Sequence, residues 1–156
     1  MPRLAHSPPL AKVLAISHVA IEVSDLERSI AFYEEVLGLD IFLDGRSDPV
    51  QPNIKGLVGG FGVELVQNVS SAKKLATRIG FADPVGGQCL SFAVADAQQA
   101  FQRLKAAGHV AAAEVTTQQG ATFFFATDPD GHVFELIEFP AGLKVLGDIA
   151  VVMRRD

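Results

Sequence analysis

HVAIEVSD, residues 18–25, and CLSFAVAD, residues 89–96, can be laid over each other at an offset of 71 positions. The same offset carries GVELV at 62–66 onto VFELI at 133–137. His18 then falls on Cys89 and Glu64 on Glu135, and each pair is separated by 46 positions (64 − 18 and 135 − 89). A duplication is the simplest account. If two copies pack about a pseudo-twofold axis, equivalent strand positions converge on one cavity, and side chains 117 positions apart (135 − 18) meet there. Convergent histidine and glutamate point to a metal ion.

Within the first copy, residues 16–23 alternate, so that Val19, Ile21 and Val23 share one face and His18, Ala20 and Glu22 the other. Ser24 followed by Glu27 has capping-box form, and Leu26, Ile30, Phe32, Tyr33 and Leu37 recur at near-helical spacing up to Gly38. This predicts a helix over 25–37. Strands follow at 39–43, 54–58 and 61–67, with Gly59-Gly60 as a tight turn before the last. The second copy repeats the order: a strand at 89–94, a helix capped by Asp96 with Gln99 and striped by Phe101, Leu104 and Ala107 up to Gly108, then strands at 112–116, 121–127 and 133–139. Asp-Pro-Asp-Gly at 128–131 makes the turn before the last strand. Each copy reads β-α-β-β-β, which places the chain in the α+β class.

The 156 residues are enough for one domain, or for two half-size modules that are stable only when they share a core. The expected organisation is a flexible leader at 1–14 and a single domain at 15–140, followed by an extension at 141–156. Within the domain the first module spans 15–69, a linker 70–87 and the second module 88–140. Residues 71–81 predict a short connecting helix, and the apolar run after Pro140 reads as a further strand or an interface element. A net charge of −5 with scattered lysine and arginine argues against a nucleic-acid partner, and no apolar run approaches membrane-helix length. One cysteine allows no internal disulfide, which fits a cytoplasmic setting.

Strand alternation sets Glu64 and Glu135 among apolar neighbours. A carboxylate there must be paired, solvated or bound to a cation, because an unpaired buried charge costs several kcal/mol. An imidazole nitrogen and two carboxylates suit Zn, Ni, Co, Mn or Fe(II), with positions left for water or substrate oxygens. The same carboxylates can act as general bases. Cys89 reads either as a small buried hydrophobe or as a thiolate ligand. Gln88 offers a weak oxygen ligand only if its strand carries a bulge. His132 is expected to make local hydrogen bonds in its turn, Phe32 and Tyr33 to lie in the core, and Arg46 to lie in a solvated loop at 45–53. His6 and His109 are assigned to no site.

Three motifs, HVAIEVSDLERSIAFYEEVLGL at 18–39, VELVQN at 63–68 and DPDGHVFELIEF at 128–139, resemble the vicinal oxygen chelate superfamily. That superfamily includes glyoxalase, methylmalonyl-CoA epimerase, extradiol dioxygenase, and fosfomycin and bleomycin resistance proteins, and the resemblance covers residues 16–139. It implies two βαβββ modules forming a cupped mixed sheet around a divalent metal, which binds adjacent oxygens of a small-molecule substrate and stabilises an enolate. His18, Glu64 and Glu135 match three of the four ligand positions, and Cys89 stands where a second histidine is usual. Glu64 follows the glyoxalase pattern; Cys89 argues against ring-cleaving dioxygenase chemistry. The implied activity is a metal-dependent lyase or isomerase acting on a small carbonyl compound or thioester, with Glu135 or Glu64 moving the proton and a homodimer as the assembly. The alternative is a metal-free, drug-binding protein of the bleomycin-resistance type.

Overall fold

Apolar side chains alternate along most of the strands and recur along both helices, and the chain buries them in two like units. The computed structural model describes residues 17–68, 89–109 and 114–140. The leader with His6, the linker with its expected helix, Gln88, the start of the 112–116 strand and the extension lie outside the described residues. The first unit is β1 (His18–Val23), α1 (Leu26–Leu37), β2 (Asp40–Gly45), β3 (Asn53–Val58) and β4 (Phe61–Gln67). The second is β5 (Leu90–Ala93), α2 (Ala97–Ala106), β6 (Thr116–Gln118), β7 (Ala121–Thr127) and β8 (Val133–Glu138). Each forms a four-stranded mixed sheet, in the orders β1-β4-β3-β2 and β5-β8-β7-β6.

The duplication is visible in the register. β1 pairs parallel to β4 with Ala20 opposite Glu64, and β5 pairs parallel to β8 with Ser91 opposite Glu135, each residue 71 positions on. One face of each sheet is buried: Ile21, Val23, Ile54, Val63 and Leu65 in the first, Phe124, Ala126, Phe134 and Leu136 in the second. These residues belong to one apolar cluster that α1 and α2 complete through Ile30, Phe32, Tyr33, Phe101 and Leu104. The opposite faces carry exposed and half-buried residues, the pattern of a sheet packed on one side only.

The helix ends differ from the capping-box expectation. Asp25, not Ser24, is the N-cap of α1, with extended backbone and its carboxylate accepting the Arg28 amide at 3.1 Å. Asp96 does the same for Gln99 at 2.7 Å, so the cap is part of the repeat. A second repeated contact joins the last strand to the helix start: the Leu26 amide donates to Gln67 Oε1 at 3.4 Å and the Ala97 amide to Glu138 Oε2 at 2.9 Å. Glu27 reaches Arg46 instead of the cap. The second strand of the second unit begins, among the described residues, at Thr116, where 112–116 was expected.

Ser24 is free for another task because the two units close their last hairpins differently. β3 and β4 turn through Gly59-Gly60, both with positive φ, as a two-residue hairpin requires. β7 and β8 instead turn through residues 128–132, and that longer loop places two nearly buried carboxylates against the first unit. Asp130 Oδ2 accepts the Ser24 amide at 2.8 Å, while its Oδ1 accepts the Ser24 hydroxyl and Arg28 Nη2. Asp128 accepts the Tyr33 hydroxyl at 3.1 Å and the backbone amides of Asp130 and His132. Burial and the adjacent Asp128 push the Tyr33 hydroxyl far above its ordinary range, so it stays a donor. The His132 ring lies 2.7 Å from the Glu22 carbonyl, reaching beyond its own turn. Phe32 packs edge-on against Phe134 and His109, with ring centroids 6.2 and 4.9 Å away.

Burial alone would raise the Asp130 pKa, but the Ser24 hydrogen bonds and the Arg28 and His132 charges outweigh it and hold the carboxyl below its ordinary value. A lowered pKa in the fold means stability that is present above the unfolded value, about 3.9, and is lost as pH falls through the folded one. Asp130→Asn should therefore cost about 2 kcal/mol in urea unfolding at pH 7, the scale of charge-assisted hydrogen bonds. The difference from the parent should shrink towards pH 3; equal loss at both pH values would refute the ionic origin.

Candidate functional site

His18 opens β1 on the unburied face of the first sheet, and its register partner on β4 is Gly62. A Cβ at Gly62 would lie 2.5 Å from the Ser17 carbonyl oxygen and 2.9 Å from His18 Cβ. The glycine therefore lets the strands approach closely where the imidazole begins. Two residues along β4, Glu64 lies on the same face, and its Oε2 is 3.0 Å from His18 Nε2. Ser17 Oγ is 3.0 Å from His18 Nδ1. One neutral tautomer satisfies both contacts, with Nε2–H donating to Glu64 and Nδ1 accepting from the Ser17 hydroxyl. Glu64 Oε1 faces Lys55 Nζ at 3.4 Å from the neighbouring strand β3.

Glu135 occupies the equivalent place on β8. Its register partners are Ser91 on β5 and Phe125 on β7, and the Ser91 hydroxyl donates a short hydrogen bond to Oε2. Cys89, half-buried just before β5, directs its thiol toward the backbone carbonyls of Leu90 and Val133. Burial and the Glu135 carboxylate raise its pKa, partly offset by a backbone hydrogen bond from Glu135.

The four positions thus lie in two pairs, His18 with Glu64 and Cys89 with Glu135, one on each sheet. Among the described residues no group of three or more histidine, cysteine, aspartate and glutamate side chains is gathered closely enough to hold a metal. A cleft of about 620 Å³ separates the edge strands, lined by Val19 to Glu22 of β1, Leu90 and Phe92 of β5, and Tyr33, Cys89 and His132. Neither glutamate lines it.

The first pair matches a cation site in ligand kind, an imidazole nitrogen beside a carboxylate, and at 3.0 Å it is held by an ordinary hydrogen bond. Glu135 adds a second carboxylate of the same chemistry on the other sheet. Lys55 and Ser91, the neighbours that complete each carboxylate's surroundings, were not singled out from the sequence. Only the cross-strand register brings them to the glutamates, and no spacing along the chain encodes it.

A sequence model of the Glyoxalase/Bleomycin resistance protein/Dioxygenase superfamily matches residues 15–136. The chain is 29% identical over 128 residues to a probable lactoylglutathione lyase of Vibrio cholerae, covering 79% of this chain and 89% of that protein. Among solved structures, a glyoxylase/bleomycin resistance protein/dioxygenase domain from Frankia superposes with a TM-score of 0.66 at 24% identity, over 85% of this chain and 97% of that one. A mutant of the fosfomycin resistance protein FosX from Listeria monocytogenes, complexed with Mn(II) and 1S,2S-dihydroxypropylphosphonic acid, gives 0.65 at 18% identity, over 83% and 95%. At these identities the two structures show the shared fold.

The Cys89 environment makes a chemical prediction. A half-buried thiol with a raised pKa should react with iodoacetamide at pH 7.5 at least about tenfold more slowly than in the urea-unfolded chain. Equal rates by mass spectrometry would contradict the burial and charge assigned to it.

Proposed function

The chain belongs to the Glyoxalase/Bleomycin resistance protein/Dioxygenase superfamily, and from that membership we propose that it is a divalent-metal-dependent lyase or isomerase acting on a small carbonyl compound or thioester. The observation that carries the reading is the His18–Glu64 pair, an imidazole nitrogen and a carboxylate oxygen 3.0 Å apart on an uncovered sheet face. The relative named a probable lactoylglutathione lyase supports a thioester or its hemithioacetal precursor as the substrate class. His18, Glu64 and Glu135 would hold the ion, with or without Cys89. A bound divalent ion supplies Lewis acidity, which stabilises negative charge on a substrate oxygen.

The chain's own residues supply the rest. Glu135 is half-exposed, and its Oε2 is oriented by Ser91. The carboxylate takes a proton from the carbon beside the carbonyl and returns it to the neighbouring position. Phe123 and Phe125, stacked edge-on at 5.9 Å on the same face, keep water from that carbon. His18 and Glu64 fix the substrate's oxygens opposite.

Since the two pairs lie on separate sheets within one chain, the proposal assigns the closing of the site to a second copy, with His18 and Glu64 from one protomer and Glu135 from its partner. A cytoplasmic setting is part of the same proposal and rests on the lone cysteine. No helix among the described residues is long and apolar enough to cross a membrane. One observation favours the metal-free, ligand-sequestering reading: Lys55 already gives Glu64 a cation.

Elemental analysis decides between them. The parent should carry about one ion per chain after incubation with Zn, Ni, Co, Mn or Fe(II), and His18→Ala and Glu135→Gln should each lose most of it while keeping the fold. Mixing the two variants through unfolding and refolding should restore metal, and turnover of a 2-oxoaldehyde–glutathione hemithioacetal, to about a quarter of parental levels. That is the statistical share of intact sites when half the dimers are hybrids, each with one undamaged site. A parent that takes up no ion would overturn the metal reading, and metal uptake without recovery on mixing would overturn the shared site.

A further inference from the structure

We propose that Lys55 sets how tightly the His18–Glu64 pair takes up a divalent cation, by acting as the counter-ion that the cation must overcome. The inference rests on the metal-dependent reading above and concerns a residue that the ligand set does not include.

The two oxygens of Glu64 are claimed by different partners. Oε2 faces His18 Nε2 at 3.0 Å, and Oε1 faces Lys55 Nζ at 3.4 Å. Lys55 reaches it because β3 and β4 pair with these two residues directly opposite each other. The duplication supplies an internal comparison. At the equivalent place on the second sheet Glu135 faces Phe125 across the strand pair and a Ser91 hydroxyl on the other side. Among the described residues Glu135 has no ion pair within 4 Å. The two carboxylates thus share a backbone position and differ in counter-charge.

A lysine beside a ligand has two opposed effects. Its charge repels an incoming divalent ion, and its hydrogen bond holds the carboxylate in place. The distance decides between them. Charge-assisted hydrogen bonds run about 2.7–2.9 Å, so the 3.4 Å contact acts through charge more than through direction. With about a third of the lysine side chain exposed, the orienting contribution of such a pair changes binding by no more than about fivefold. Removing a unit charge about 6 Å from a divalent ion in a water-like medium changes it about tenfold in the other direction at low ionic strength, the condition in which the charge is least screened. The repulsive effect wins, and Lys55 weakens metal uptake through its charge on Glu64.

Chelator-competition titrations with Zn(II) and Mn(II) on the parent, Lys55→Met, Lys55→Arg and His18→Ala test this. Methionine keeps the length of the stem and removes the charge; arginine keeps the charge. Lys55→Met should bind each ion about five- to tenfold more tightly, and Lys55→Arg should stay within about twofold of the parent. Lys55→Gln, which also lacks the charge, is read in the same way if the methionine variant does not fold by circular dichroism. Unchanged or weaker binding in the uncharged variants would overturn the proposal, as would an arginine variant that tightens as much as methionine. If His18→Ala loses metal while Lys55→Met matches the parent, this inference alone falls. If no variant and no parent binds either ion, the metal-dependent reading falls with it.

Discussion

The carboxylate of Asp130 ties the two halves of this protein together. It accepts the amide and hydroxyl of Ser24 and the guanidinium of Arg28, side chains 106 and 102 positions away along the chain. Ser24 is the residue that follows β1, so the contact fixes where that strand ends and where α1 begins. Asp128 and His132 add grips on Tyr33 and on the Glu22 carbonyl. An almost buried carboxylate without such partners would cost several kcal/mol. Asp130 has three donors, and the contacts that offset the cost also define how one sheet sits on the other. The apolar contact of Phe32 on α1 with Phe134 on β8 also joins the two units, but rings that tolerate several packings would not set this orientation alone.

Much of the scaffold was legible from the repeat and from periodicity. Two βαβββ units, the faces of β1 and β4, the apolar stripes of both helices and the pairing of Gly59-Gly60 with a hairpin all follow from alternation and turn chemistry, because those signals are local. The misreadings occur where a distant partner overrides a local pattern. Ser24 and Glu27 have the form of a capping box, yet the Ser24 hydroxyl goes to Asp130 and the Glu27 carboxylate to Arg46. Asp25, one residue on, then caps the helix. The Asp-Pro-Asp-Gly stretch was readable as a turn, but nothing within it reveals that its carboxylates point into the other unit.

The site shows the same division. His18, Glu64, Cys89 and Glu135 stand out in the sequence because the offset of 71 superimposes them. How they are grouped does not. Spacing along the chain is the same for both pairs, whereas the structure pairs His18 with Glu64 and gives Glu135 a serine in place of a base. The difference comes from positions where the copies have diverged: Ala20 against Ser91 on the outer strand, and Lys55 against Phe125 on the inner one. Duplication preserves the backbone positions, because changing them would break a sheet, while side chains on the uncovered face are free to change chemistry.

That divergence bears on how such a chain can fold before anything binds it. Two glutamates on uncovered faces would each face a desolvation cost once those faces were covered by a ligand or a second copy. Here each carries its own partner beforehand, His18 and Lys55 for Glu64 and the Ser91 hydroxyl for Glu135. Neither half depends on the other to satisfy its carboxylate, so the scaffold and the chemistry separate: the Asp130 junction and the apolar cluster hold the fold, and the pairs on the open faces remain available. The first pair, with two cationic or proton-donating neighbours, is the better satisfied of the two. It therefore has more to give up when a new cation arrives, whereas the second is held by a single hydroxyl on an apolar face with Phe123 and Phe125 beside it.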